Sequence, residues 1–252
     1  MSCFVNAPNL PHACAAIMYG KKYADILEKP LESLLIESIL FPDNPDIDPR
    51  LSGHADLSML HSGGERLSLA PFLKESAFSE ELQARGAKLH FPELRQGRDY
   101  PSDAQLNVCI LGEYVICNPK TTDAGIAINS TKYGAQKCIS VRQGYSRCAV
   151  CAVDADSIIT ADRGIAAAAE ANGLHVLLIR PGYIRLDGYP YGFIGGESFK
   201  LASDKLAFTG NLQAHPDYEA ILAFLTERGI EPVFLSRETA FDIGSAIPIL
   251  EN

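Results

Sequence analysis

Short, nearly continuous apolar runs alternate along this chain with amphipathic stretches that stop at a glycine. The clearest copy of the pattern is Leu206–Leu250. After the apolar run KLAFTG, residues Tyr218, Ile221, Leu222 and Leu225 recur at the three- and four-residue spacing of one helix face. Pro216 suits the first turn of that helix, and Gly229 its stop. The strand EPVFLS and then a small-residue strand, DIGSAIPIL, complete the copy. Ile158–Leu201 repeats it, with Asp162 as helix cap, Gly173 as stop, LHVLLI as strand and GFIGGESFKL as the ending.

Two further copies precede these. Leu67–Leu111 holds the helix KESAFSEELQAR, then Gly86, AKLHF and QLNVCIL. Tyr114–Val153 holds VICNP, the helix-like TTDAGIAINSTKY, Gly134, KCISV and CAVCAV. A looser copy opens the chain, with ADILEKPLESLLIESILF as its helical part and GHADLSML as its ending. A fixed-order repeat of this length points to an array of like units. Strand–helix–strand units repeated five times close radially, so the expected fold is α/β: a five-fold pseudosymmetric propeller of ββαβ repeats around a central channel. One domain over residues 1–252 is expected, because no linker or low-complexity tract divides the chain. A dinucleotide-binding sheet is disfavoured, since GFIGGE ends a unit and precedes a strand instead of following one.

Composition narrows the function classes. The apolar content of 47% and charged content of 21% exclude a disordered chain. No apolar run approaches membrane-spanning length, and MSCFVNAPNLPHA lacks the basic start and apolar core of a secretory leader. With seven cysteines outside any disulfide framework, a cytoplasmic location is expected. The net charge of −9 argues against nucleic acid and leans toward a small cationic or amino-containing ligand.

Candidate chemistry follows from superposing the unit-ending strands. Asp56, Asn107, Cys148, Gly196 and Gly244 fall at equivalent places, facing the axis, where they meet a ligand or bond one another. His54 and Asp56 alternate past Ala55, so on a strand they share a face; the other reading is a loop cap. Cys148 and Cys151 form CxxC. A zinc site of that type wants a second pair, so no metal or cofactor is expected. The pair reads otherwise as core residues, with a redox role as a third option. Glu197 and Asp242 stand beside glycine-rich turns, as cation-gripping carboxylates or as solvated loop residues. Tyr189-Pro190-Tyr191 is either one wall of the site or turn packing. His61, His90, His175 and His215 have no informative neighbours and read as structural or surface residues.

The phrases GHADLSML, SIITADRGIAAAAEANGLHVLLI, GFIGGESF and DIGSAIPILE resemble the guanidino-group-modifying (pentein) superfamily, in a bacterial branch of that fold. The resemblance implies a hydrolase or amidinotransferase acting on a guanidino or related amino compound at the channel. It also implies a thiolate nucleophile in the last unit, a mid-chain His in an H-x-D motif, and carboxylates that hold the guanidinium. Here Ser245 or Ala246 stands near the place of that thiol, no Cys follows Cys151, and the H-x-D motif is His54-Ala55-Asp56. Carried onto this chain, the catalytic set is His54, Asp56 and Cys148, with His54 as activator of the thiol. The substrate-binding set is Asn107, Glu197, Asp242, Ser245 and Gly196. The other reading is a catalytically inactive propeller that binds a small ligand or a protein or ribosome partner.

Overall fold

The computed structural model describes residues 2–123, 125 and 137–252. Among the described residues the strands form five separate sheets. The closing sheet has the order β1 (Cys3–Phe4), β16 (Ile247–Glu251), β2 (Cys14–Gly20), β3 (Glu37–Phe41). The second is β4 (Met59–His61), β5 (Arg66–Leu69) and β6 (Lys88–His90). The third is β7 (Cys109–Leu111), β8 (Tyr114–Cys117) and β9 (Lys137–Ser140). The fourth is β10 (Val150–Ala152), β11 (Ser157–Thr160) and β12 (His175–Leu178). The fifth is β13 (Ser198–Ala202), β14 (Lys205–Phe208) and β15 (Glu231–Phe234).

Every sheet repeats one pairing rule. An inner strand runs antiparallel to the middle strand, which runs parallel to an outer strand. The parallel step needs a crossover. Helices α1 (Ala24–Ser33), α3 (Ala77–Ala84), α5 (Arg163–Ala171) and α6 (Tyr218–Thr226) supply it, while α2 (Ala55–Ser58) and α4 (Ser146–Ala149) are single turns before inner strands. The crossover helix expected in TTDAGIAINSTKY, beyond its first residues, and Gly134 lie outside the described residues. Gly86, Gly173 and Gly229 take positive φ after their helices, as expected. Asp162 caps α5 by accepting from the Gly164 and Ile165 amides.

The middle strands read as continuous apolar runs because both of their faces are buried between neighbouring sheets. On β2, Ala16 and Met18 face the second sheet, while Ile17 and Tyr19 face the fifth. On β14, Leu206 and Phe208 face the fourth sheet, and Ala207 faces the closing one. Tyr114 and Ile116 of β8 pack toward the fourth sheet, Val115 and Cys117 toward the second. The two-residue period of a strand thus splits each run between two cores. Each adjacent pair of sheets encloses one such core, and the ring closes where Phe199 and Leu201 meet Ile17 and Tyr19. This is the α/β propeller.

Three expectations need correction. The sequence copy is not one sheet: its third strand crosses to become the inner strand of the next sheet. The last copy therefore ends in β16, which inserts between β1 and β2 and joins the two ends of the chain. The outer strands LHVLLI and EPVFLS are only partly buried, because they are sheet edges. In the first copy only Ala24–Ser33 is helical; Leu35 turns at positive φ and Glu37–Phe41 is a strand. At the axis, buried polar side chains pack together beneath a cavity.

Replacing Ile249 in the closing strand, 1% exposed, by Ala is expected to cost about 2–5 kcal/mol by urea denaturation. The same change at Leu178 on an outer edge, 46% exposed, is expected to cost less than about 1 kcal/mol.

Candidate functional site

The five residues expected at equivalent axial places do meet, and hydrogen bonds link them into a ring. They stand in turns just before the inner strands, not on the strands. The Asp56 amide donates to the Gly244 carbonyl (3.2 Å), and Asn107 Nδ2 donates to the Asp56 carbonyl (3.2 Å). Asn107 Oδ1 accepts from the amides of Arg147 (2.8 Å) and Cys148 (3.2 Å). The Gly196 amide donates to the Cys148 carbonyl (2.9 Å), and the Ser245 amide donates to the Gly196 carbonyl (2.9 Å). Glycine is required at two of these places. A Cβ on Gly196 would overlap the Asp242 carboxylate, and one on Gly244, at φ +68°, would overlap His54.

His54 and Asp56 do not alternate on a strand. His54 is the N-cap of α2 and Asp56 lies inside that turn, because the chain must bend there to reach Gly244. Both are nonetheless buried at the axis. Asp56 Oδ2 accepts from the Cys148 thiol (2.9 Å) and lies 3.0 Å from Ser245 Oγ. Ser245 Oγ also lies 2.8 Å from the Gly195 carbonyl and has one proton for the two acceptors. A proton on Asp56 resolves that conflict, and burial pushes Asp56 up to about 6. Asn107 Nδ2 lies 3.2 Å from Cys148 Sγ, so the thiol is held from two sides.

Asp242 and Glu197 are both buried, which removes the reading as solvated loop carboxylates. Asp242 accepts from the Phe193 and Gly244 amides, each at 2.8 Å, and its Oδ1 lies 4.0 Å from His54 Nδ1. Burial raises Asp242 to about 7, and it raises Glu197 well above the usual carboxylate range with help from the Asp242 charge. Burial lowers His54 to about 3, so its ring is neutral. The Cys148 thiol is pushed well above its ordinary value, first by burial and then by Asp56. Among the described residues, no Lys or Arg lies within 4.0 Å of these three carboxyls.

Over this cluster sits a cavity of about 250 Å³. Its floor carries Cys148, His54 and Asp242, and its walls carry Tyr145, Tyr189, Tyr191 and Phe193. Tyr189-Pro190-Tyr191 therefore lines the cavity. Asn107, Ser245, Gly196 and Glu197 stand behind the floor and do not line it. Cys151 points away, into the core between the fourth and fifth sheets, with its thiol pushed to about 12 by burial. His61 and His215 are buried in backbone contacts, and His90 and His175 are exposed.

Sequence reasoning missed Arg147, Tyr145 and Phe193. Arg147 is buried under the ring, donating to Asn9 Oδ1 (3.0 Å) and to the carbonyls of Val150 and Gly195 (3.2 Å each). An arginine set immediately before an apolar strand was the available signal. Tyr145 and Phe193 carried none.

The chain matches a family model over residues 19–247 and belongs to that family, described as a family of unknown function (DUF6873). No curated protein matches the sequence. Solved structures share its fold at low identity. An inosamine-phosphate amidinotransferase from Streptomyces griseus matches at TM-score 0.55 and 10% identity, covering 98% of this chain and 97% of that one. A substrate-bound agmatine deiminase from C. jejuni matches at 0.56 and 8%, covering 98% and 96%. DDAH from Pseudomonas aeruginosa, complexed with citrulline, matches at 0.53 and 10%, covering 89% and 93%. The fold is that of the pentein superfamily.

The buried acids set a slope of stability with pH. A carboxyl raised in the folded state confers stability that is full below about pH 4 and lost as pH rises through the folded value. His54 and His61, lowered to about 3 and 4, act in the opposite sense, but their contribution is complete above about pH 6.5. Between about pH 6.5 and 8 the carboxyls dominate, so the melting temperature is expected to fall as pH rises. Calorimetry on Glu197→Gln should show a shallower fall over the same range.

Proposed function

For this pentein-fold chain of the DUF6873 family, we propose a hydrolase or amidinotransferase that takes a guanidino or related cationic amino compound into the cavity over Cys148. One observation carries the reading. The Cys148 thiol lies on the floor of an aromatic-walled cavity, bonded to a carboxyl and sharing that floor with Asp242. Buried carboxyls without a paired Lys or Arg favour a cationic guest, and aromatic faces attract one.

A bound guanidinium favours the ionised forms of Asp242 and of the Cys148–Asp56 pair through its charge. The charge of the guest first drives the Asp56 proton to solvent; Cys148 then passes its proton to Asp56, and the thiolate adds to the guanidinium carbon. The bond from that carbon to the leaving nitrogen breaks, and the proton held on Asp56 passes by way of the neutral His54 ring to the departing amine. Water then displaces the thiol to leave a ureido product, or an acceptor amine takes the amidino group. Asp242 holds the cation by charge-assisted bonds. Asn107 and Ser245 position Cys148 and Asp56, Gly196 makes room for the Asp242 carboxylate, and Glu197, driven toward its neutral form by burial and by Asp242, stands behind it.

The second reading, a non-catalytic propeller that binds the same cation, is favoured by the strongly raised thiol and by Ser245 in the last turn. A panel of arginine, agmatine, creatine and methylated arginines separates the two. Turnover is expected to release ammonia or an amine and to fall about 10³-fold or more in Cys148→Ser, with ligand-induced thermal stabilisation retained. Asp242→Asn is expected to weaken binding about 10–100-fold. Affinity should rise as pH increases through about 7, where Asp242 ionises. Stabilisation without turnover would support the binder, and no stabilisation by any cation would sink the guanidino reading.

A further inference from the structure

We infer that His54, Asp56 and Cys148 form a binding site for a divalent zinc-type ion. One donor atom from each residue lies within 4.8 Å of the other two, and all three residues are buried. Donors around a tetrahedral zinc sit about 3.3–3.8 Å apart, given bonds of about 2.0–2.3 Å. Small side-chain rotations therefore bring this trio onto one ion. Nitrogen, carboxylate oxygen and thiolate sulfur are together the donor types zinc accepts.

Among the described residues, two buried atoms in the cluster find no hydrogen-bond partner, His54 Nε2 and Asp56 Oδ1. Buried polar atoms left unpaired are costly, and a metal ion supplies the missing partner to both. Asp242 Oδ1 faces His54 Nδ1 at 4.0 Å, the side from which a carboxylate orients an imidazole that ligates through its other nitrogen. Asn107 and Ser245 brace the sulfur and the carboxyl. The fourth position faces the cavity that Cys148 and His54 line, which is the open arrangement of sites with three protein ligands.

Binding the ion forms the sulfur–zinc and carboxylate–zinc bonds and releases the protons of Cys148 and Asp56 to solvent. The thiolate is then occupied, and the positive ion stands where a cationic guest would. Zinc and a guanidino compound therefore exclude each other, which makes zinc occupancy an off-state of the proposed reaction. The site itself rests on the cluster geometry and not on the guanidino reading.

The test titrates the full, metal-stripped chain with Zn²⁺ by calorimetry and with Co²⁺ by absorption. One equivalent is expected, with a tetrahedral cobalt spectrum that includes a thiolate charge-transfer band. Cys148→Ser should remove that band, and it and Asp56→Asn should each weaken Zn²⁺ binding by at least about 100-fold. Circular dichroism checks that both variants fold. On the unaltered chain, Zn²⁺ should slow iodoacetamide labelling of Cys148, read by mass spectrometry, so the proposal stays testable if a variant misfolds. Absence of stoichiometric binding, binding that survives both substitutions, or unchanged labelling would overturn it. Failure of the guanidino reading appears separately, in the metal-free ligand panel.

Discussion

The structure depends on one ring of hydrogen bonds at the axis. Five turns from five parts of the chain converge there, and each must find partners for backbone groups that no strand ladder reaches. Three links are backbone to backbone; Asn107 supplies the other two with its side-chain amide, donating to the Asp56 carbonyl and accepting from the Cys148 amide. The ring constrains its members sharply. Gly196 and Gly244 admit no Cβ, and Ser245 is held in the left-handed region at φ +63°.

The same constraint creates the electrostatics. Bringing five turns together excludes water from Asp56, Asp242, Glu197, His54 and Cys148, so each is driven toward its neutral form. Arg147, directly beneath, spends its hydrogen bonds on Asn9 and on carbonyls, and it eases the acids only at a distance. A set of neutralised acids under a cavity answers strongly to an arriving positive charge. The proposed guest and the proposed ion both exploit that one property.

Much of this was legible in the sequence, for stated reasons. An apolar run such as KLAFTG signalled a buried strand, and the helix-stopping glycines marked the crossovers. Superposing the copies located Asp56, Asn107, Cys148, Gly196 and Gly244, since equivalent positions in a closed ring must meet at its axis. The partial exposure of LHVLLI was not legible, because an apolar edge strand and a buried one share a composition. Nor was the helical turn at His54–Asp56, whose bend is imposed by the distant Gly244 carbonyl.

By itself the sequence determined the five-unit repeat, the buried strands and the identities of the axial residues, because periodicity and side-chain chemistry are local properties. Only the tertiary structure decided that the copies are joined out of phase, with Ile247–Glu251 closing the first sheet. It alone set the Cys148 thiol against Asp56, residues far apart in the chain, and turned Cys151 into the core. Tyr145 and Phe193 became cavity walls the same way. Contacts between distant segments follow from how sheets pack around an axis, and no local pattern encodes that distance.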